Sequence, residues 1–137
     1  MKIYFAGSIR GGRENIVVFR QIIGFSLQFG QVLTEHIGDE KVDDLEAGSD
    51  DNYIHDRDIR WLSESDVVIA EVTTPSLGVG YEIRSAIEMG KPVLCLFRKT
   101  GGTELSAMIN GCSDLKVVRY ADIQEAYSGI KEFLECC

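Results

Sequence analysis

Residues 66–82 read DVVIAEVTTPSLGVGYE, an apolar run followed by a glycine-rich turn and an acidic residue. An apolar run without alternation is typical of a central strand covered on both faces, so the sequence predicts a strand over 66–72. The glycines that follow predict a turn into a helix over 80–89, which ends at Gly90. A strand that leads through a short turn into a helix indicates an α/β fold.

The rest of the chain repeats this alternation of strands and helices. Further strands are predicted over 2–6, 31–34, 92–97 and 116–120. Further helices are predicted over 14–29, 52–64, 104–109 and 123–134; apolar residues recur there at helical spacing. The order predicts a Rossmann-like, five-stranded parallel sheet with helices on both faces, in a single domain over 1–137. Ligands of such sheets bind beyond the carboxyl ends of the strands.

Composition restricts the partners of the chain. Lys and Arg number 14 against 22 Asp and Glu, which gives a net charge of −8. This charge opposes binding to nucleic acid or to an anionic membrane, whereas a few local donors can still hold a small anion. No apolar run approaches the roughly 20 residues of a spanning helix. We therefore expect a small-molecule ligand, with no nucleic-acid or membrane partner.

Cysteine and histidine spacing matches no zinc pattern, so we expect no metal and a reducing compartment. Cys95 lies in an apolar strand and is predicted to be core. Asp66 opens a strand, which predicts a position at the edge of the sheet away from the ligand. Glu71 closes the same strand and is a weak site candidate.

The first glycine-rich segment follows the first predicted strand and contains Gly7, Ser8, Ile9, Arg10, Gly11, Gly12 and Arg13. Glycines let backbone N–H groups approach a phosphate, and arginine adds charge-assisted hydrogen bonds. The spacing is neither a dinucleotide fingerprint nor a Walker loop. The alternative interpretation is a tight turn with solvated arginines.

The second glycine-rich segment, 74–82, places Ser76 and Gly78 after the central strand. Glu82 is predicted in the first turn of the following helix, where the helix dipole favours an ionised carboxylate. An ionised carboxylate beside a phosphate site suits a nucleophile, although an ordinary glutamate at a helix start is the alternative. Tyr81 is predicted to be a packing residue.

Three further groups of polar residues are less specific. Asp56 and Asp58 share a predicted helix with His55; paired carboxylates can divide nucleophile and acid/base roles, but a solvated helix face is the better interpretation from the residues alone. His36 follows the second strand and could reach the ligand edge. Ser106 starts a short helix and could bind an anion or act as an ordinary cap.

The chain resembles the 2′-deoxynucleoside 5′-phosphate N-hydrolase family, which is related to the nucleoside 2-deoxyribosyltransferases. Five blocks carry the resemblance in the same order: YFAGSIRGGRE at 4–14, LTEH at 33–36, PSLGVGYE at 75–82, GKP at 90–92 and LSAMI at 105–109. The likeness covers nearly the whole chain. It implies a cofactor-independent homodimer of the cytoplasm, and also of the nucleus, that cleaves the bond between a base and deoxyribose 5-phosphate.

The resemblance also implies roles for individual residues. Glu82 matches the family nucleophile, Asp58 the acid/base residue, and Tyr4 the tyrosine that organises them. Residues 7–13 match a loop that encloses the substrate, in which Ile9 would pack against C2′. The phosphate ligands would be Ser8, Arg10, Ser76 and Gly78; Ser106 and Met108 would reach in from the partner subunit, and His36 would lie near the base.

The acidic loop 38–51 departs from the family pattern and borders the expected base pocket, so the preferred base stays open. Three rival functions also stay open: a nucleoside 2-deoxyribosyltransferase, a pyrimidine ribonucleotide N-glycosidase and a nucleotide-binding protein without turnover. Serines at the expected phosphate positions favour the hydrolase over the transferase. Ile9 argues against a ribonucleotide, and the set Tyr4, Asp58 and Glu82 argues against a protein that only binds.

Overall fold

The computed structural model describes residues 1–9, 15–39, 47–100 and 102–137. Arg10, Gly11, Gly12 and Arg13 of the first glycine-rich segment, and 40–46 of the acidic loop, lie outside these ranges. The strands are β1 Lys2–Gly7, β2 Gln31–Val32, β3 Val67–Glu71, β4 Val93–Arg98 and β5 Lys116–Tyr120. The helices are α1 Ile16–Ser26, α2 Asp51–Glu64, α3 Leu77–Glu88, α4 Ala107–Asn110 and α5 Ile123–Glu135, with a 3₁₀ turn at Glu35–Gly38.

The five strands form one parallel sheet in the order β2-β1-β3-β4-β5. The predicted α/β class and the parallel five-stranded sheet are thereby confirmed. The strand order reverses direction between β1 and β3, which makes their shared carboxyl edge the switch point of the sheet. At this edge the chain leaves β1 toward one face of the sheet and leaves β3 toward the other, so a crevice lies between the two connections.

Helices cover both faces of the sheet. On one face, α1 and α5 pack through Phe19, Ile22 and Ile130 against alternate strand residues such as Phe5. On the other face, α2 and α3 pack through Leu62, Val79, Ile83 and Ala86. Since side chains alternate along a strand, Tyr4 points to the α2–α3 face, where it is fully buried;.

Several element boundaries differ from the prediction. Helix α3 begins at Leu77 rather than at Gly80, because the Ser76 side chain caps it and accepts a hydrogen bond from the Val79 N–H. Helix α1 is shorter than predicted. Strand β2 ends at Val32 rather than at Thr34. Beyond its end, the Thr34 side chain takes the place of backbone pairing with β1: its hydroxyl donates to the Phe5 carbonyl at 2.6 Å and accepts from the Phe5 N–H at 2.9 Å.

Two smaller predictions are confirmed. Cys95 is fully buried in β4. Asp66 lies at the amino edge of the sheet, where it accepts a hydrogen bond of 2.7 Å from the Lys2 N–H. Within the ranges that the structure describes, no helix has both the length and the apolar character needed to cross a membrane.

Replacing a glycine by alanine should have opposite effects on stability at two helical positions. A Cβ at Gly129 in α5 would lie 2.7 Å from a methyl carbon of Val118, whereas a Cβ at Gly24 in α1 would meet nothing within 4 Å. We expect Gly129→Ala to destabilise the fold by about 1–3 kcal/mol through overpacking. Gly24→Ala should stabilise it by about 0.5–1 kcal/mol through helix propensity. Urea unfolding measures both; equal effects would contradict the close approach of α5 to the sheet.

Candidate active site

The centre of the site is a hydrogen bond between β1 and α3. The Tyr4 hydroxyl donates to Glu82 Oε1 at 2.5 Å. Burial raises the pKa of Tyr4 above its usual range, and the Glu82 and Asp58 carboxylates raise it further. Tyr4 therefore remains a hydrogen-bond donor at every working pH, and it holds one oxygen of Glu82 in place.

Glu82 does not lie in the first turn of its helix. Because α3 begins at Leu77, Glu82 falls in the second turn, and the helix dipole acts mainly within the first;. Burial raises the pKa of Glu82 to about 7; the Tyr4 hydrogen bond opposes this shift, and the Asp58 carboxylate adds to it. The prediction that the helix dipole keeps this carboxylate ionised is wrong. Desolvation has the larger effect, and it brings the pKa of Glu82 close to neutral pH.

Asp58 on α2 faces this pair closely enough to raise the pKa of both Tyr4 and Glu82. Its side chain is half-buried and pairs with Arg57, whose Nε and Nη2 both approach Oδ1 to 2.8 Å. The Arg57 guanidinium also lies over the Trp61 ring, 4.8 Å from the centroid. Asp58 is thus held by a fixed cation at the edge of the carboxylate pair.

Asp56 has a different environment from Asp58. Its side chain is 81% exposed and pairs with His55 at 2.9 Å. The solvated-face interpretation is therefore correct for Asp56 and wrong for Asp58. Two carboxylates do lie together in the site, but the second is Glu82 rather than Asp56.

His55 also bridges the two helices, a contact absent from the sequence predictions. Its Nε2 lies 3.1 Å from the Tyr81 hydroxyl, and the two rings meet edge to face. Tyr81 is predicted to be a packing residue, and it packs here against His55 on the surface, where it is 56% exposed. The bridge ties α2 to α3 one residue from Glu82 and three from Asp58.

The described part of the first glycine-rich segment lies at the end of β1. Ser8 is buried, and Ile9 packs against the core on the α1 side. At Gly7 a Cβ would lie 2.8 Å from the Phe19 ring, so glycine is required for α1 to approach the strand. The segment therefore leaves β1 close to the sheet, directly beside the crevice.

The second glycine-rich segment forms the start of α3. Ser76 is the N-cap, and Gly78 falls in the first turn. Glycine in a helix costs about 1 kcal/mol relative to alanine. Yet a Cβ at Gly78 would contact only the Ser76 hydroxyl, at 3.8 Å, and a Cβ at Gly80 would meet nothing within 4 Å. Packing inside the chain does not require these glycines, so the open space beside them is available to a ligand or another chain.

Ser106 and Met108 lie across an apolar groove of about 720 Å³ from Ser76 and Gly80. Ser106 caps α4, and Met108 is 82% exposed. Apolar side chains line the groove: Val72, Ile83, Ile87, Leu105, Ile109 and Leu115. Glu82 and Asp58 are not among the lining residues. Ser76 thus lines this groove and also caps the helix that follows β3.

His36 belongs to the 3₁₀ turn after β2 and is half-buried. Its ring centroid lies 5.7 Å from that of Trp61, which in turn contacts Arg57. This chain of contacts connects the turn after β2 to the surroundings of Asp58. His36 thus lies on the α2 side of the sheet.

Glu71 is fully buried at the end of β3 and lies in a polar network. Its Oε1 accepts hydrogen bonds from the Thr73 hydroxyl and, at 3.0 Å, from the Tyr120 hydroxyl. Burial raises the pKa of Glu71, against the effect of these bonds and of the Arg98 charge. Glu71 is thus part of the interior beneath the site. Among the described residues, no group of three or more His, Cys, Asp or Glu side chains could hold a metal ion.

The nucleoside 2-deoxyribosyltransferase family model matches residues 3–124, and the chain belongs to this family. It is 50% identical over 126 residues to the 5-hydroxymethyl-dUMP N-hydrolase of Danio rerio, an alignment that covers 91% of the chain and 88% of the relative. It is 52% identical over 114 residues to the protein of the same name from Rattus norvegicus, with 82% and 70% covered.

A solved structure also shares the fold. Clostridium botulinum CMP N-glycosidase superposes with a TM-score of 0.68 at 17% sequence identity, and the match covers 97% of this chain and 99% of that one. At this level of identity the likeness concerns the fold alone.

The raised pKa of Glu82 predicts a pH-dependent gain in stability for Glu82→Gln. Ionising a buried carboxyl is disfavoured in the folded state, so wild-type stability falls as pH rises from the ordinary glutamate range through about 7;. Glutamine stays neutral throughout. We expect the melting temperature of the variant, relative to wild type, to rise by roughly 5 °C between pH 5 and pH 8.

Calorimetry across this pH range measures the effect, and Glu88→Gln is the control. Glu88 is exposed on the same helix and pairs with Arg84, so Glu88→Gln controls for the general effect of this substitution. A Glu82→Gln difference that does not vary between pH 5 and 8 would contradict the raised pKa.

Proposed function

We propose that the chain hydrolyses the N-glycosidic bond of 2′-deoxynucleoside 5′-monophosphates, releasing the free base and 2-deoxyribose 5-phosphate. The observation that carries the proposal is the cluster formed by buried Tyr4 with the half-buried Glu82 and Asp58 beside the switch-point crevice. Family membership and the names of two relatives at about half identity support the same reaction. Two carboxylates of different environment are what glycosidic cleavage requires.

In the first step, Glu82 acts as the nucleophile. An oxygen of its ionised carboxylate attacks C1′ of the deoxyribose as the bond from C1′ to the base nitrogen breaks. In the reactive state the pair of carboxyl groups holds one proton, on Asp58, and Asp58 gives this proton to the departing base. The Tyr4 hydrogen bond orients the Glu82 carboxylate. The products of this step are the free base and a glycosyl ester of Glu82.

In the second step, water replaces Glu82 on the sugar. Asp58, now ionised, removes a proton from the water as the oxygen attacks C1′, and the ester bond to Glu82 breaks. Glu82 is released as a carboxylate and Asp58 is protonated again. All electrons and protons balance between the two carboxyl groups, so the cycle requires no cofactor.

The phosphate is held away from the reacting carbon. Ser8 and Ser76 flank the crevice, and Gly78 leaves open space beside the helix start. With Arg10 they would bind the 5′-phosphate, whose binding energy would orient the sugar over Glu82. In this proposal residues 7–13 enclose the substrate, Ile9 borders C2′ and disfavours a ribose hydroxyl, and His36 approaches the base.

A homodimer completes the proposal. The groove between α3 and α4 is lined by apolar side chains, and Leu77 and Met108 at its rim are 97% and 82% exposed. A second copy seated there would bring Ser106 and Met108 toward the neighbouring phosphate site. An enzyme of the nucleotide pool would work in the cytoplasm, with the nucleus as a second compartment.

The two relatives named above identify the first base to test. Both are named for 5-hydroxymethyl-dUMP, a pyrimidine deoxynucleotide with a modified base. We propose this nucleotide as the leading substrate, because the chain shares about half of its aligned residues with each relative.

A second candidate function is transfer of deoxyribose to another base. The family model that matches 3–124 is described as a nucleoside 2-deoxyribosyltransferase. Both reactions pass through the same glycosyl ester, and they differ in whether water or a base attacks it. Adding free base to the reaction separates them, since only a transferase gives exchange products.

Turnover should require a 5′-phosphate, a deoxyribose and Glu82. The assay incubates the chain with 5-hydroxymethyl-dUMP, dGMP, deoxyguanosine and GMP, and follows the released base by chromatography. We expect release from one or both deoxynucleotides and none from the other two. Glu82→Ala should lower kcat at least about a thousandfold, whereas Glu88→Ala on the same helix should not. Unchanged turnover by Glu82→Ala would remove Glu82 from the mechanism.

The pH dependence of kcat/KM should report the ionisation of Glu82. The reaction needs Glu82 ionised and one proton on Asp58, so the rate should fall at low pH as Glu82 is protonated and at high pH as the pair loses its last proton. Tyr4→Phe removes a hydrogen bond that lowers the pKa of Glu82, so the acid limb should move to higher pH. Tyr127→Phe is the matched control, because Tyr127 stacks on Phe25 at 4.3 Å on the opposite face. An unmoved limb in Tyr4→Phe would contradict the assignment.

A further inference from the structure

A buried asparagine spans the crevice at the switch point of the sheet. Asn15, 4% exposed, stands where the first glycine-rich segment joins α1. Its Nδ2 donates to the Thr74 hydroxyl at 2.5 Å, and its Oδ1 accepts from Arg98 Nη2 at 2.8 Å. Thr74 starts the second glycine-rich segment, and Arg98 ends β4. One side chain therefore connects three elements that diverge at the carboxyl edge.

Asn15 occupies a position where its residue type ordinarily serves the helix. Asparagine is among the preferred N-caps, since its side-chain oxygen accepts from the first N–H groups of a helix. At α1 this side chain makes no capping hydrogen bond. Both polar atoms of the Asn15 side chain instead form hydrogen bonds across the crevice. The bridge therefore replaces a capping hydrogen bond.

Arg98 is itself fixed from the interior. Its backbone N–H donates to the Thr73 hydroxyl at 2.8 Å, and the same hydroxyl donates to the buried Glu71. The Arg98 charge also acts on Glu71. The partner of Asn15 is thus anchored to the ends of β3 and β4, and the bridge has one rigid side.

We propose that Asn15 is a positioning residue for the substrate phosphate: its bridge to Thr74 and Arg98 sets the width of the crevice between the two glycine-rich segments. This inference rests on the proposed function. Ser8 follows β1 on one side of the crevice. Ser76 lies two residues after Thr74 on the other side. Because the helices that follow β1 and β3 lie on opposite faces of the sheet, the separation of Ser8 and Ser76 has to be fixed before both can face one phosphate.

The test compares variants on both ends of the bridge. Asn15→Ala removes both hydrogen bonds, Thr74→Val removes only the acceptor with little change of shape, and Thr74→Ser restores the hydroxyl. Ser128→Ala is the control, because it removes an exposed hydroxyl bond within α5. The measurements are kcat and KM for the deoxynucleotide that wild type hydrolyses, and the inhibition constant of inorganic phosphate.

We expect Asn15→Ala and Thr74→Val to raise both KM and the phosphate inhibition constant by about tenfold, as for one lost hydrogen bond in a binding site. The kcat should stay within about twofold, because the carboxylates on α2 and α3 are untouched. Thr74→Ser should behave as wild type. A purely structural role would lower the melting temperature without a selective effect on phosphate. Unchanged phosphate inhibition in Thr74→Val, or a fall in kcat alone, would overturn the inference.

Calorimetric binding of dGMP and of inorganic phosphate separates this inference from the proposed function. If wild type releases no base yet both ligands bind about tenfold more weakly to Thr74→Val, the proposed hydrolysis fails and the bridge stands. If wild type is active and the variants bind as tightly as wild type, the bridge fails and hydrolysis stands. Should Asn15→Ala not fold, the Thr74→Val and Thr74→Ser pair decides alone.

Discussion

The hydrogen bond from Tyr4 to Glu82 connects residues 78 positions apart in the sequence, and the site depends on it. It forms because β1 is an interior strand whose alternate side chains face the α2–α3 layer. Desolvation by the surrounding protein raises the pKa of the half-buried Glu82 to about 7. Under the proposed mechanism, the same desolvation would make Glu82 a weak acid when protonated and a reactive nucleophile once ionised.

The second constraint is topological. A parallel sheet in the order β2-β1-β3-β4-β5 sends the chain to opposite faces after β1 and β3, so a crevice is unavoidable at their carboxyl edge;. The Glu82 and Asp58 carboxylates lie on the α2–α3 side of it. Asn15 crosses the opening from α1 to Thr74. Under the proposed function, the helical layer would supply the chemistry, and the strand ends together with the glycine-rich segments would bind the phosphate.

The apolar run 66–72, the strand–helix alternation and the placement of both glycine-rich segments at the carboxyl edge could be predicted from sequence, because they depend on local pattern and parallel topology. The ionisation of Glu82 could not. A serine cap moved the helix start by three residues, and burial, which no local pattern reveals, reversed the expected pKa shift. The Asn15 bridge and the His55–Tyr81 contact depend on tertiary placement and also leave no local signal.

The most direct test of these conclusions is a titration of the Glu82 side-chain carboxyl by carbon NMR, with Glu82→Gln used to assign the signal. The buried Tyr4–Glu82 pair predicts a midpoint of about 7, which moves upward in Tyr4→Phe. A midpoint in the ordinary glutamate range of about 4–5 would contradict it. That result would mean that Glu82 is solvated and fully ionised at neutral pH, and the desolvated carboxylate pair would no longer explain the site.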